Sequence, residues 1–279
     1  MLRSEVVQLA RRHVPGLDEP EVQLQNAGIV NNTYQVRRDG RWYALRVVSD
    51  DCEGEFDREW EYQVLQCASG AGLAPLIEYC DRATGVLVSR WAPGHSWTAA
   101  EVRRVVNFHR ISEFIWSVQA LPIAKPAREI RPRAWIERYR ERSNIQLDLR
   151  AEQQLEILDA LPDLRAVLCH SDLHIGNLVD TGSALLALDW EYAHVSDVHW
   201  DLAGWGSAND FTPIEQRELL RVFLGRVPDS TEWARYEALT WIYDYMCLLW
   251  CEHYLNRRPD DPTSHIAARC ATLFGRLGA

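Results

Sequence analysis

Long apolar runs are missing from this chain. No stretch approaches the roughly 18 apolar residues of a membrane helix, so no membrane span is expected. The opening segment, MLRSEVVQLARRHVPG, has no apolar core of the kind a secretory signal carries; it reads as a short amphipathic helix ending at Pro15-Gly16. Paired cysteine motifs are missing as well. Seven cysteines are present, none as C-x-x-C, and Cys247 and Cys251, one helical turn apart, are too isolated for a zinc site. All seven are expected to be reduced core residues of a cytoplasmic protein. Positive charge is scarce: 30 Lys and Arg face 40 Asp and Glu, a net charge of −10. Without a basic stripe to displace counterions, a nucleic-acid partner is not expected. An acidic surface weakly favours a small cationic substrate instead. Internal repeats and low-complexity tracts are absent too.

What is present suits a globular protein. The 279 residues are 47% apolar and 25% charged, enough for one large domain or two smaller ones. Residues 1–92 alternate strand and turn signals, whereas the pattern beyond Pro93-Gly94 is mostly helical. The expected division is therefore 1–92 and 93–279.

In TYQVRRDGRWYALRVV, Asp39-Gly40 is a preferred two-residue hairpin turn. Pairing Arg38 with Arg41 sets Val36 opposite Tyr43, Gln35 opposite Ala44 and Thr33 opposite Arg46. Strand alternation then puts Ala44 and Arg46 on one face, beside the polar loop 28–33; a solvated strand arginine is the plainer alternative. From Phe56 the chain reads as a helix carrying Glu59 and Glu61 and stopping at Gly70 and Gly72, followed by strands at IEYC and GVLVSRWAPG. Thr212-Pro213-Ile214-Glu215 is a capping box with proline at the first helical position. An aromatic helix spans about 231–255.

Between these helices lies one β island, AVLCHSDLHIGNLVDTGSALLALDWEYA. NLV and ALLAL flank the turn 180–183 as a hairpin. Pairing Val179 with Ala184 puts Asn177 opposite Leu186, with Asp189 about 10 Å further along. Asn177, Asp189 and, on the loop entering the hairpin, Asp172 thus gather at one end. Two carboxylates and an amide oxygen are hard ligands suited to magnesium. A zinc site from His170, Asp172 and His174 is the weaker alternative, because alternate residues on a strand exit point apart. The two histidines are then expected to bond the loop backbone.

CHSDLHIGN followed by LALDWEYA resembles the H-x-D-x-x-x-x-N…D signature of the aminoglycoside phosphotransferase and choline kinase superfamily. The D-W-E-Y-A form, with Asp197 and Asp201 in SDVHWDLA, is most similar to its thiamine kinase and choline kinase branch. The resemblance covers about residues 25–205. It implies an α+β, two-lobed protein-kinase-like fold: a small N-terminal antiparallel sheet with one helix, and a larger, mostly helical C-terminal lobe. It also implies ATP and Mg2+. Asp172 matches the catalytic aspartate that accepts the substrate hydroxyl proton, and Asn177 and Asp189 match the magnesium ligands. Arg46 matches the residue contacting the α/β-phosphates, with Glu61 as its ion-pair partner; Ala44, Arg90 and Trp91 belong to the same nucleotide-binding set. His170 and Asp201 match supports of the catalytic loop.

Three departures stand out. Arginine replaces the usual lysine at position 46, and the two are not equivalent. GIVNNT has one glycine where G-x-G-x-x-G has three, so phosphate contacts are expected partly from Asn31, Asn32 and Thr33. Gln119 stands where relatives often have histidine. For the acceptor, the resemblance points to a small cationic alcohol, thiamine first, choline second and an aminoglycoside third. Trp205, Trp241 and Tyr245, with Asp244 and Glu191, are candidates to cage the cation, although core packing also explains the helical spacing of the rings. A kinase-like binding module without turnover is the reading from a different class. The protein is expected to be a monomer or homodimer.

Overall fold

The computed structural model describes residues 3–13, 21–27, 31–48, 56–122, 127–129, 131–140, 145, 148–162, 164–257 and 264–278. Pro15-Gly16, the loop residues 28–30 and the acidic residues 50–55 lie outside the described residues. The chain divides into two compact units, one comprising residues 1–97, 121–125 and 175–193, the other residues 98–120, 126–174 and 194–279.

The first unit contains helix α1 (Arg3–His13) and strands β1 (Glu21–Ala27), β2 (Asn31–Arg38) and β3 (Arg41–Val48). Helix α2 (Arg58–Gly70) and strands β4 (Ile77–Cys80) and β5 (Leu87–Arg90) follow. The strands form an antiparallel sheet in the order β1-β2-β3-β5-β4. Asp39 and Gly40 both take positive φ, +49° and +74°, as a two-residue hairpin turn requires. The β2–β3 register is the expected one: Arg38 pairs with Arg41, Gln35 with Ala44 and Thr33 with Arg46. Alternation sends Tyr43, Leu45 and Val47 into a core with Val36, Val86, Val88 and Ala10 of α1. Asp57 caps α2 by accepting from the Trp60 N–H at 3.0 Å.

Later in the chain, β7 (Leu178–Asp180) and β8 (Leu185–Ala187) add a second hairpin to this unit. Here the register differs from the expectation. Val179 pairs with Leu186, not Ala184, because the turn is wider: the Thr181 N–H donates to the Ala184 carbonyl at 3.0 Å. Asn177 consequently faces Leu188, whose N–H donates to the Asn177 carbonyl at 2.9 Å. Asp189 is therefore the very next residue rather than three further on. The Ala187 N–H reaches the Leu73 carbonyl at 2.8 Å, and His95 exchanges two backbone bonds with Asp180, tying this hairpin to the rest of the unit.

The second unit is mainly helical: α3 (Val105–Gln119), α4 (Pro132–Arg140), α5 (Asp148–Ala160), α6 (Trp200–Ala208), α7 (Pro213–Leu224), α8 (Ser230–Arg257) and α9 (Ser264–Leu277). Strands β6 (Val167–Cys169) and β9 (His194–Ser196) pair antiparallel within it. The capping box of α7 is complete, with Thr212 and Glu215 bonding each other's backbone. α8 packs against α4, α5, α6 and α9, which explains its apolar residues on several faces. The cysteines at 67, 80, 169, 247, 251 and 270 are free and at least half-buried.

Candidate functional site

Arg46 enters its site from β3, on the face opposite the sheet core and next to Ala44. It is only 5% exposed, so it is not a solvated strand arginine. Its Nη2 lies 2.6 Å from Glu61 Oε1 on α2, and its Nη1 lies 3.4 Å from Asp189 Oδ1. Arg58, one turn before Glu61, donates to Glu61 Oε2 at 2.6 Å and to Glu191 Oε2 at 3.1 Å. Glu191 also accepts from Asn31 Nδ2 at 2.8 Å. Two guanidinium groups thus interleave with three carboxylates. Burial opposes the charge on Arg46, but Glu61, Glu191 and Asp189 outweigh it and push its pKa up. Burial likewise opposes ionisation of Glu61, yet Arg46 and Arg58 hold its pKa below the usual range. Glu191 differs. Burial, reinforced by the charges of Asp189 and Glu61 against the pull of Arg46, pushes it up to about 7.

This cluster ends a cavity of about 200 Å³ within the first unit. Ala44, Leu65, Pro75, Ile77, Leu87 and Leu188 supply apolar wall; Arg46, Asn177 and Asp189 supply the polar end, and Thr33, Arg90 and Trp91 also line it. Such a cavity suits a flat aromatic base joined to an anionic tail. Arg46 Nε is buried with no acceptor among the described residues, leaving a donor for an oxyanion. Asp189 takes φ +54°, a left-handed conformation that aspartate tolerates better than most residues. Its carboxylate is 29% exposed, while Asn177 beside it in the hairpin is buried. A carboxylate and an amide oxygen match the ligand chemistry of magnesium.

In the second unit the loop after β6 is gripped by its backbone. Asp201, in the first turn of α6, accepts from the His170 N–H at 2.7 Å and the Ser171 N–H at 2.8 Å. Burial pushes Asp201 up to about 6, with Asp172 adding repulsion and the two N–H bonds restraining the rise. His170 is fully buried, and its Nδ1 accepts from the Asp172 N–H at 3.3 Å. The Asp172 carboxylate remains about a third exposed, 3.8 Å from His174 Nε2. Among the described residues, no three His, Cys, Asp or Glu side chains are arranged to hold a metal ion. Gln119 donates to the Val198 carbonyl at 2.7 Å, a bond between α3 and the segment before α6.

Several expected residues stand elsewhere. Asn31 is the first residue of β2 and points its amide at Glu191, not into an open phosphate loop; Asn32 follows it on the strand. Glu191, expected near the acceptor, is 3% exposed and bound to Arg58 and Asn31 in the first unit. Arg90, by contrast, does line the cavity, with its side chain paired with Glu78 at 2.6 Å. Trp205 and Tyr245 are fully buried, Trp241 packs 5.3 Å from the Tyr245 ring, and Asp244 takes the Ser207 hydroxyl and lies 3.4 Å from Arg276. A cation needs an open ring face; Trp205 and Tyr245 offer none, whereas Trp241 is only half-buried. One contributor, Arg58, was not anticipated, nor was the pairing of Asn31 with Glu191. Arg58 was signalled by its i,i+3 spacing to Glu61, whereas nothing in the sequence links Asn31 to Glu191, 160 positions away.

Comparison with known proteins finds similar folds. The structure is similar to a choline/ethanolamine kinase family protein from Mesorhizobium loti (TM-score 0.79, 23% identity, 99% of this chain and 94% of that one). It is similar also to the choline kinase LicA from Streptococcus pneumoniae (TM-score 0.77, 17% identity, covering 98% and 99%). A third similar structure is the amicoumacin kinase hAmiN in complex with AMP-PNP, Ca2+ and Ami (TM-score 0.72, 15% identity, covering 99% and 93%). At these identities the likeness establishes the protein-kinase-like fold. No curated protein matches the sequence. The model of the phosphotransferase enzyme family, by contrast, matches residues 21–239, most of the chain, and the protein belongs to that family.

Proposed function

We propose that this protein is an ATP- and magnesium-dependent kinase that phosphorylates the hydroxyl group of a small cationic alcohol. The observation that carries the reading is the meeting of Arg46, Glu61 and Asp189 at the polar end of an apolar-walled cavity. Arg46 binds phosphate oxygens, and its contact with Glu61 holds it extended for that task. Ala44 leaves room for the base, and Leu87, Ile77 and Leu188 cover it. Asn177 and Asp189 would hold the metal, which when bound would supply positive charge against that building on the phosphoryl group. Asp172 positions the acceptor hydroxyl and accepts its proton as the new O–P bond forms and ADP leaves. Asp201 and His170 keep that loop in place.

The cationic acceptor rests on the net charge of −10 and on choline and ethanolamine kinases among the similar structures. The D-W-E-Y-A form favours thiamine, the similar folds favour choline, and both belong in the test. ADP release from magnesium-ATP, measured against thiamine, choline, ethanolamine and an aminoglycoside panel, is expected to rise with one of the first three. A rise with aminoglycosides alone would transfer the chain to the antibiotic-modifying branch. No rise with any of them, together with tight ATP binding, would make it a binding module.

A further inference from the structure

Ser171, the residue before Asp172, carries an unusual backbone for its type. Its φ is +70°, in the left-handed region where a side chain is disfavoured and glycine is the ordinary occupant. Two bonds hold it there. Its N–H donates to Asp201 Oδ1 at 2.8 Å, and its hydroxyl lies 2.8 Å from His194 Nδ1 on β9. His194 is 1% exposed. Its ring sits 5.3 Å from that of Trp135 and 6.0 Å from that of Trp200, and its backbone pairs with Cys169 in the β6–β9 ladder. The imidazole is thus walled in and cannot follow a moving loop. Whichever tautomer it holds, Nδ1 and the hydroxyl share one proton between them.

We propose that Ser171 and His194 are a positioning pair that locks the peptide carrying Asp172, so that the acceptor-binding carboxylate presents one orientation. This rests on the proposed role of Asp172. The backbone at 171 is a conformation that serine leaves readily once the side-chain bond is lost, and a fixed anchor on β9 opposes that relaxation. Asp201 grips the main chain of the loop from α6; His194 grips its side chain from β9. Two anchors on different elements define a rotation that one alone leaves open. Neither Ser171 nor His194 touches the reacting atoms in this scheme.

The test separates positioning from stability by two substitutions that pull in opposite directions. H194N keeps a hydrogen-bonding group near the Nδ1 position but empties space between the two indoles. H194L fills that space but removes the bond. Turnover of magnesium-ATP with the active acceptor is expected to fall about tenfold in H194L and less in H194N, with KM for ATP unchanged, whereas Tm falls further in H194N. S171A is also expected to lose about tenfold in kcat, and S171A/H194L no more than either single variant, since both delete one bond. Equal kcat in the two His194 variants, wild-type kcat in S171A, or losses that multiply to about a hundredfold would overturn the pairing. Should the wild type turn over no acceptor, the proposed function fails by itself. Amide exchange at Asp172 then decides the pairing: about tenfold faster exchange in S171A upholds it, and unchanged exchange overturns it.

Discussion

Arg46 Nη1 lies 3.4 Å from Asp189 Oδ1 while the same guanidinium is held 2.6 Å from Glu61 by its other terminal nitrogen. One planar fork therefore joins the strand, the helix and the proposed metal ligand. Lysine, with a single ammonium, cannot span both carboxylates in this way. The chain uses lysine only once, at Lys125. Arg46→Lys is accordingly expected to raise KM for ATP about tenfold, equivalent to about 1.4 kcal/mol of binding, with the fold retained. Arg46→Ala leaves Glu61 and Glu191 buried beside a single guanidinium, and is expected to lose about 3–5 kcal/mol of stability in denaturant titrations.

Asp189→Asn keeps the side-chain volume and removes the charge offered to a divalent ion. Turnover is expected to fall by at least ~100-fold, with added magnesium recovering part of it. ATP binding without metal is expected to strengthen slightly, because Arg46 is released from a competing carboxylate. Unchanged magnesium dependence would remove Asp189 from the metal site.

Glu191 gives the stability curve a definite sign. Its folded-state pKa, about 7, stands above the ordinary carboxylate value because of burial. The native state therefore binds more protons than the unfolded chain between about pH 4.5 and 7, and this group's contribution is lost as pH rises through that window. Glu191→Gln has no such loss. Its Tm relative to wild type is expected to improve from pH 5 to pH 8, by an amount corresponding to roughly 2–3 kcal/mol. A constant difference across that range would show that Glu191 is ionised throughout.

Gly94 packs against the turn of the second hairpin, where a Cβ would collide with the carbonyl oxygen of Asp180. Backbone cannot yield as a flexible side chain does. Gly94→Ala is expected to cost about 1–3 kcal/mol and to displace the hairpin that carries Asn177 and Asp189. A raised KM for magnesium-ATP alongside the lower Tm is the expected pairing.

Local chemistry made much of this fold legible. The β2–β3 register followed from Asp39-Gly40, because a two-residue turn leaves no freedom in pairing. The ends of α2 and the cap of α7 followed from short-range bonds in the same way. The β7–β8 register departs by two residues from the expected pairing, since a Thr181–Ala184 backbone bond makes a wider turn than its composition announces. The Arg58–Glu191–Asn31 chain and the Ser171–His194 contact join distant segments, and no spacing rule reaches them. Positive φ at Ser171 and Asp189 was equally hidden, because neither is glycine. The aromatic residues of α8 carry one periodicity for packing and for ligand binding alike; only burial separates the two.

The most direct measurement is phosphorus NMR of magnesium-ATP with the purified protein and the candidate alcohols, run in parallel with Asp172→Asn. The account expects a new phosphomonoester signal on thiamine, choline or ethanolamine, formed at least ~100-fold more slowly by the variant, whose fold is unchanged. A phosphomonoester formed equally fast by both proteins, or ATP bound at Arg46 and left intact with every alcohol, would contradict it.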